Sequence, residues 1–444
     1  MGYRVCKFGG SSLADAAQFR KVQAIIQADP QRCYVVPSAP GKRSKKDQKI
    51  TDLLYLCHAH VQQSLPFDEV FAVIAERYTT IVRELGLKLD IEAHLEEAKR
   101  GIAERANGGA TADFAASRGE YLNGLILAEL LGYQFIDAAE LIHFTPQGRL
   151  DETRTYETVA ARLKGCPRAV IPGFYGSTHD GQVITFSRGG SDITGAIIAR
   201  GVMADIYENW TDVSGLLMAD PSIVENPRTI DVITYRELRE LAYMGATVLH
   251  DEAIFPVRKV AIPVQIRNTN QPEHPGTMIV GDDSPIAPSG TISGVAGRRD
   301  FTVIFVEKAM MNSEIGFGRR LLSAIESHGI SYEHTPSGID TMSVVMASSQ
   351  LDGKLDDVLA SIRAECAPDK LEVVSNIALI ATVGRGMARR PGVAARLFTA
   401  LAEANVNIRM IDQGSSELNI IIGVEEADFE RAVQAIYHAF VNGY

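Results

Sequence analysis

No apolar run in this 444-residue sequence reaches the ~18 residues needed to cross a membrane. The N-terminus lacks the apolar core of a secretory signal. Met1-Gly2 opens like a myristoylation signal, but Cys6 stands where that motif needs Ser or Thr. Cysteine is sparse: Cys6, Cys33, Cys57, Cys166 and Cys366 are scattered, odd in number and without a CxxC pair. That excludes a disulfide scaffold and suits a reducing compartment, so a cytoplasmic protein without membrane partners is expected. Positive charge is also short. The net charge of −11 argues against a general nucleic-acid binder, although a few local cations would serve a small anionic substrate. Neither a Walker A sequence nor a GxGxxG fingerprint is present, so any nucleotide site is of another type. His58 and His60 are two apart on a helical stretch, where side chains do not face each other, and no metal site is read there.

What is present is a globular composition, 46% hydrophobic and 22% charged, at a length that suits two or three domains. The first distinctive pattern spans residues 3–26. A short apolar strand, Tyr3 to Cys6, runs into Lys7 and then Phe8-Gly9-Gly10-Ser11-Ser12. Leu13, Ala16, Ala17, Val22, Ile25 and Ile26 then follow the helical period. The glycines let the backbone turn and expose its N–H groups, and Ser11 or Ser12 can cap the helix. A helix N-terminus favours an anion, so a lysine at its mouth reads as a phosphate clamp. The plainer reading is an ordinary βα turn with a surface lysine.

Residues 1–280 alternate β-rich runs with helical stretches, the pattern of a mostly parallel sheet sandwiched by helices. A second strand, 33–40, ends in the turn Ser38-Ala39-Pro40-Gly41, and the basic loop 41–49 follows. The loop reads first as a solvated charge run. Its second reading is a flap over polyphosphate, because open α/β sheets bind ligands past the carboxyl ends of their strands. Helices are expected over 65–110 and 117–133, with strands at 135–138 and 169–177. Glu120 falls near the start of the 117–133 helix, where the dipole alone favours a carboxylate. At 183–202 the opening logic repeats: a strand, then Ser187-Arg188-Gly189-Gly190-Ser191-Asp192, then a helix. Ser191 or Asp192 reads most plainly as an N-cap. Two such units would bring cations and helix N-termini to one sheet edge. The strand 204–210 ends at Trp210, the only tryptophan, before Thr211-Asp212-Val213-Ser214-Gly215. A helix over 234–254 and a strand over 262–269 follow. Residues 281–294, rich in Gly, Pro, Ser and Asp, read as a linker.

Beyond the linker a repeat holds a constant offset of 76 residues: FTVIFV (301–306) falls on IALIAT (377–382), and RLLSAIESHGIS (320–331) on RLFTALAEANVN (396–407). SVVM (343–346) falls on NIII (419–422) before the register slips in the last helix. Each unit reads β-α-β-β-α, giving two α+β units, 295–375 and 376–444, expected to share a sheet.

KFGGSS near the N-terminus, SRGE at 117–120, FSRGGSD at 186–192 and WTDVSG at 210–215 together resemble aspartate kinase, of the amino-acid-kinase superfamily. MGATVLH at 244–250, NVNI at 405–408 and SSELNIIIGV at 415–424 resemble the tandem, ferredoxin-like ACT regulatory domains of that family. The motifs run in the family's order over nearly the whole chain. No homoserine dehydrogenase segment follows the second ACT unit, so the likeness is to the monofunctional enzymes. The resemblance implies a kinase domain over 1–280 that transfers a phosphoryl group from ATP, with Mg²⁺, to the β-carboxylate of L-aspartate. The product, 4-phospho-L-aspartate, leads to lysine, threonine, methionine and diaminopimelate. By position, the resemblance assigns Lys7, Phe8, Gly9, Gly10 and Ser11 to the ATP phosphates, and Thr211 and Asp212 to the nucleotide. It assigns Thr51, Glu120, Arg188 and Ser191 to aspartate, and Lys7 and Asp192 to the reaction centre. Leu217, Ser222 and Thr247 depart from the family's usual Tyr, Arg and Lys on the nucleotide side.

The ACT pair implies feedback by an amino acid, lysine first and threonine second. Its effector loop is Met311-Asn312-Ser313-Glu314-Ile315-Gly316-Phe317, facing Ser337-Gly338-Ile339-Asp340-Thr341. A homodimer through the ACT domains is expected, with a tetramer as the next larger assembly. Two other readings stand beside this one: a kinase of another acidic amino acid, and a catalytically silent amino-acid sensor on the kinase fold.

Overall fold

The computed structural model describes residues 2–106, 111–187, 189–246, 251–286 and 290–441. The chain divides into two units. The first comprises Met1–Leu216, Asp231–Tyr235 and Val248–Ala287; the second comprises Leu217–Ile230, Arg236–Thr247 and Pro288–Tyr444.

The first unit is built on an eight-stranded sheet. Its spatial order is Gln134–Phe135, Ala169–Val170, Arg32–Pro37, Arg4–Phe8, Ile206–Thr211, Val264–Asn268, Thr277–Val280 and Val232–Thr234. Every neighbouring pair is parallel except Val264–Asn268 with Thr277–Val280. The central strands are buried along almost their whole length rather than at alternate residues. That is the signature of a sheet covered on both faces. Cys6, Phe8 and Trp210 join one core with Phe19, Ile26, Leu54, Ile74, Tyr78 and Leu122 from the helices on that side. Lys7 and Asn209, paired in register on adjacent strands, project from the other face, under helix Gly190–Gly201.

Several local expectations change. The helix after the opening strand is Ala16–Gln27, capped by Asp15, which accepts from Gln18 N at 2.9 Å. A 3₁₀ turn, Gly10–Leu13, intervenes, so neither Ser11 nor Ser12 caps that helix. The Ser12 hydroxyl instead bonds that of Thr269 at 2.8 Å. The run expected as one strand over 169–177 breaks in two. Ala169–Val170 stays in the main sheet, while Tyr175–Thr178 joins a small sheet with His143–Phe144 and Val183–Thr185. Phe174 turns the chain between them at φ +81°. The expected strand 135–138 shrinks to Gln134–Phe135, because Asp137 caps a 3₁₀ turn by accepting from Ala139 N. The helix expected at 117–133 is Ala112–Leu131, which puts Glu120 in its third turn, beyond the reach of a dipole argument.

Residues 217–230 and 236–247, expected with the rest of 1–280, group with the second unit. Ala219 and Val224 are buried in its core with Leu397, Ile422 and Ile436. Met218 O accepts from Val295 N at 2.7 Å, and Glu237 Oε1 accepts from Ser293 Oγ and Arg385 N at 2.7 and 2.6 Å. Of the three departures, Leu217 bridges Thr229 and Ser222 closes a turn on Asp220, both in this unit. Thr247 lies outside the described residues.

The second unit has one five-stranded sheet in the order Thr341–Ala347, Gly294–Glu307, Lys370–Val383, Asn419–Glu425, Met410–Asp412. Two 14-residue strands, Gly294–Glu307 and Lys370–Val383, run antiparallel through both halves of the repeat. Each bends near a non-glycine residue of positive φ, Asp300 at +71° and Asn376 at +60°, where the register shifts. Helices Phe317–Glu326 and Val393–Glu403 start 76 residues apart, and Leu355–Cys366 corresponds to Phe429–Val441. The copies differ at one strand. It is Met410–Asp412 in the second, but only the bridges His334–Val345 and Ser337–Met342 in the first. Among the described residues no helix is long and apolar enough to cross a membrane.

Candidate active site

Lys7, Thr51, Glu120, Ser191 and Asp192 line one cavity of about 210 Å³ in the first unit, with Ser38, Phe174 and Gly189-Gly190. Five residues from four separate segments thus converge at the carboxyl ends of the central strands, where a parallel sheet places its ligands.

Lys7 is the fourth residue of the opening strand and is only 8% exposed. Its ammonium lies 2.6 Å from Asp192 Oδ1 and donates to Asn209 Oδ1 at 3.4 Å. Asn209 Nδ2 donates in turn to the same Asp192 oxygen at 2.8 Å. The three side chains close a triangle. The turn beyond Lys7 is held by Gly9 N, which donates to Trp210 O at 2.9 Å, and by Gly41 N, which donates to Gly10 O at 2.8 Å. A Cβ on Gly10 would stand 2.9 Å from Ala39 O and 3.1 Å from Gly41, so only glycine lets these two backbone loops meet. Phe8 is fully buried and stacks on Trp210, so its side chain belongs to the core. Ser11 is half-buried beside it in the 3₁₀ turn.

The second Gly-Gly unit behaves differently from the first. Gly189, at φ +56°, is the N-cap of helix Gly190–Gly201, and no side chain caps it; Ser191 and Asp192 lie inside the first turn. The expected N-cap role of Ser191 or Asp192 therefore does not occur. The uncapped N-terminus opens on the cavity, presenting donors and a partial positive charge to it. Gly173 and Gly190 permit the close approach of Ser191 and Phe174 that forms the cavity wall. Arg188 lies outside the described residues.

Glu120 is 5% exposed, and its Oε2 has no hydrogen-bond partner. Burial pushes its pKa up to about 8, opposed by a hydrogen bond from the Ala39 backbone. Glu120 thus brings a buried carboxyl with an unmatched oxygen to the lining of the cavity, a group able to accept a hydrogen bond from a cation bound there. Thr51, half-buried in the first turn of helix Ile50–Gln62, completes that side. Thr211 and Asp212 do not line the cavity. They follow Trp210 at the end of their strand, where the Thr211 hydroxyl bonds Asp212 at 3.2 Å and Asp212 is exposed.

The basic loop 41–49 is not a free charge run. Buried Arg77 donates to Gly41 O at 2.9 Å and to Asp47 Oδ2 at 2.6 Å, pinning the loop at two points. Burial would raise the Asp47 pKa, but hydrogen bonds from Arg43 and the Arg77 charge outweigh it and hold it at about 2. Lys42, Lys45, Lys46 and Lys49 remain exposed. Sequence reasoning missed Asn209, Phe174 and the Arg77–Asp47 pair. Each depends on a partner distant in the chain, and no local pattern marks them.

In the second unit, the two segments expected to face each other do so. Asn312 N donates to Ile339 O at 3.1 Å and Lys308 N to Asp340 O at 2.8 Å. Gly338 N closes the second segment on Thr341 O at 2.7 Å, while Ser337 Oγ bonds Thr335 O. Met311 and Phe317 are buried in the core of this half, and Gly316 starts the helix at φ +82° with no side-chain cap. Ser313 N bonds back to Met310 O. Glu314 pairs with Lys308 at 2.7 Å and with Arg320.

The amino acid kinase family model matches residues 2–268, and an ACT domain model matches 380–440. Aspartokinase 3 of Bacillus subtilis is 41% identical over 451 residues, covering 99% of both chains. The crystal structure of Clostridium acetobutylicum aspartate kinase superposes with a TM-score of 0.90 at 57% identity, covering 99% of this chain and 100% of that one. Escherichia coli aspartokinase III in complex with aspartate and ADP gives a TM-score of 0.71 at 26% identity, covering 98% and 99%. The same enzyme in complex with lysine and aspartate gives 0.73, at 26% identity and 99% coverage of each chain. By family match, sequence and fold, the chain belongs to the aspartokinases of the amino acid kinase family.

Proposed function

We infer that the protein transfers the γ-phosphoryl group of ATP to the β-carboxylate of L-aspartate, giving 4-phospho-L-aspartate and ADP. One observation carries the reading. A single cavity sets a lysine–aspartate pair and an uncapped helix N-terminus around the same space as a buried carboxyl with an unpartnered oxygen. The first two suit a polyphosphate; the third suits the ammonium of an amino-acid acceptor. An N-acylated acceptor would leave Glu120 buried and unmatched, which disfavours N-acetylglutamate.

The acceptor carboxylate, with a reference pKa of about 3.9, is already ionised at neutral pH, so no general base is needed. The obstacle is bringing an anion against a polyanion in line. Positioning and charge neutralisation overcome it. Lys7 neutralises the transferring phosphoryl oxygens, and the donors at Gly190-Ser191 hold the same charge from the other side. Asp192 orients Lys7 and abstracts no proton. Glu120 meets the substrate ammonium, Thr51 and Ser191 line its cavity, and Arg188 offers a bidentate fork to a carboxylate. The backbone of Phe8 to Ser11, with Thr211 and Asp212, serves the nucleotide. Among the described residues no group of three or more His, Cys, Asp or Glu side chains could hold a metal ion. Mg²⁺ is read as part of the MgATP substrate, carried by the phosphates.

The ACT unit acts as a feedback receptor, with lysine as the first effector and threonine as the second. The lysine complex of the E. coli relative and the meeting of segments 308–317 and 337–341 support this. The sheet ends in two edge strands, which supports a homodimer through the ACT domains. The enzyme is read as cytoplasmic.

The test is ADP release with L-aspartate, L-glutamate or N-acetyl-L-glutamate as acceptor, trapping the acyl phosphate with hydroxylamine. Hydroxamate should form with L-aspartate. Turnover only with another acceptor, or none with any, would overturn the reading.

A further inference from the structure

Asn209 belongs to none of the sequence motifs, yet it touches both charged groups of the reaction centre. It is 4% exposed and lies in the strand Ile206–Thr211, in register with Lys7 on one neighbour and Ile266 on the other. Its carbonyl accepts from Lys7 Nζ at 3.4 Å and its amide donates to Asp192 Oδ1 at 2.8 Å. A primary amide holds a donor and an acceptor side by side in one plane. It can therefore satisfy an ammonium and a carboxylate together without adding charge. An apolar side chain here would leave the 2.6 Å Lys7–Asp192 contact as a closed ion pair. An aspartate would set two carboxylates against each other.

The strand divides its labour by alternation. Tyr207 Oη donates to Asp192 O at 3.0 Å, and Asn209 holds the Asp192 side chain. On the opposite face, Glu208 is locked by Arg32 at 2.8 Å, Arg4 at 2.9 Å and Trp210 Nε1 at 2.9 Å. Asn209 thus projects from a rigid base.

We propose that Asn209 is a positioning residue for phosphoryl transfer, holding Asp192 in place while Lys7 turns from it toward the transferring phosphoryl group. The reason is the cost of that turn. A half-buried carboxylate that gives up its cation loses a charge-assisted contact. The Asn209 N–H keeps Oδ1 bonded throughout, and its carbonyl retains a hold on the lysine. The ion pair then orients Lys7 without trapping it. This inference rests on the roles of Lys7 and Asp192 in the proposed mechanism.

The full chain carrying Asn209→Leu, Asn209→Asp or Lys7→Ala would be assayed by hydroxamate trapping, with thermal melting of each variant. Asn209→Leu should lower kcat about 10- to 100-fold, the scale of losing hydrogen bonds to charged groups. Its KM values for aspartate and ATP should stay within about threefold, because residue 209 does not line the cavity. Asn209→Asp, nearly isosteric, sets a second carboxylate against Asp192 and should likewise lower kcat while both KM values stay within about threefold. A purely structural role would lower kcat and Tm together and shift the KM values as well; that outcome overturns the proposal, as does near-wild-type kcat in Asn209→Leu. If Asn209→Leu does not fold, the kcat and KM values of Asn209→Asp decide alone. Full turnover in Lys7→Ala would instead refute the mechanism beneath the proposal.

Discussion

Glu120→Gln tests the most unusual group in the cavity. In the free protein burial drives the Glu120 pKa up to about 8, and Oε2 has no partner. At pH 7 a pKa of about 8 leaves the carboxyl protonated over ionised by about ten to one. An incoming ammonium needs the ionised form. Aspartate binding at pH 7 should therefore expel about 0.9 proton per site, at a cost of about 1.4 kcal/mol relative to a site already ionised. The apparent Kd for aspartate should weaken about tenfold for each unit the pH falls below 8. Calorimetric titration in buffers of different ionisation enthalpy measures the released proton directly. In Glu120→Gln the release should vanish and the Kd should be flat from about pH 6 to 8. Stability gives a second readout with a defined sign. The folded pKa lies above the unfolded value of about 4.3, so this group's contribution is whole below about pH 4.3 and is lost as the pH rises through about 8. The Gln variant should therefore gain Tm over wild type at pH 8 more than at pH 5. Proton release near zero in the wild type, or equal release in the variant, would refute the reasoning.

Three further outcomes are expected. Lys7→Ala should lower kcat at least ~100-fold while leaving the fold intact, the scale of one lost preorganised charge stabiliser; circular dichroism and turnover check this, and near-normal turnover removes Lys7 from the reaction centre. Glu208→Leu leaves buried Arg32 without its carboxylate and Arg4 with only Asp29, and should destabilise the protein by about 3–5 kcal/mol in denaturant unfolding; a loss below about 1 kcal/mol would mean Arg32 finds another partner. Lysine should inhibit the wild type with a saturable dose response, and Asp340→Ala, in the segment bonded to Lys308 N, should shift its midpoint upward at least about tenfold. A flat response of the wild type to lysine and threonine, singly and together, sinks the feedback reading.

The parallel sheet was legible because its strands are short, apolar along their length and separated by helical periods. The repeat was legible because each copy must bury the same face of the same helix, as Leu321 and Leu397 do. Boundaries were less so. A helix start depends on which side chain reaches a backbone N–H, and Asp15 won over Ser11 and Ser12 once the glycine turn closed on residues 39–41. Glu120 looked like an ordinary first-turn carboxylate because the segment 112–116 carries no clear start signal. Its placement in the third turn, buried, is what brings it to the cavity with a raised pKa.

By itself the sequence determined the family and the kinase and ACT folds, and it marked Lys7, Glu120, Ser191 and Asp192 as candidates for one chemistry, because those features are written in local motifs. Only the tertiary structure decided that these residues share a cavity, that the second Gly-Gly unit rather than the first offers an uncapped helix end, and that residues 217–230 pack with the C-terminal sheet. It alone revealed Asn209 between Lys7 and Asp192. The physical reason is range. A turn or a helical stripe is fixed by neighbours a few residues away, whereas a pKa, an unmatched oxygen or a strand-to-strand register exists only after segments far apart in the chain, such as Lys7 and Asn209 or Ala39 and Glu120, have come into contact.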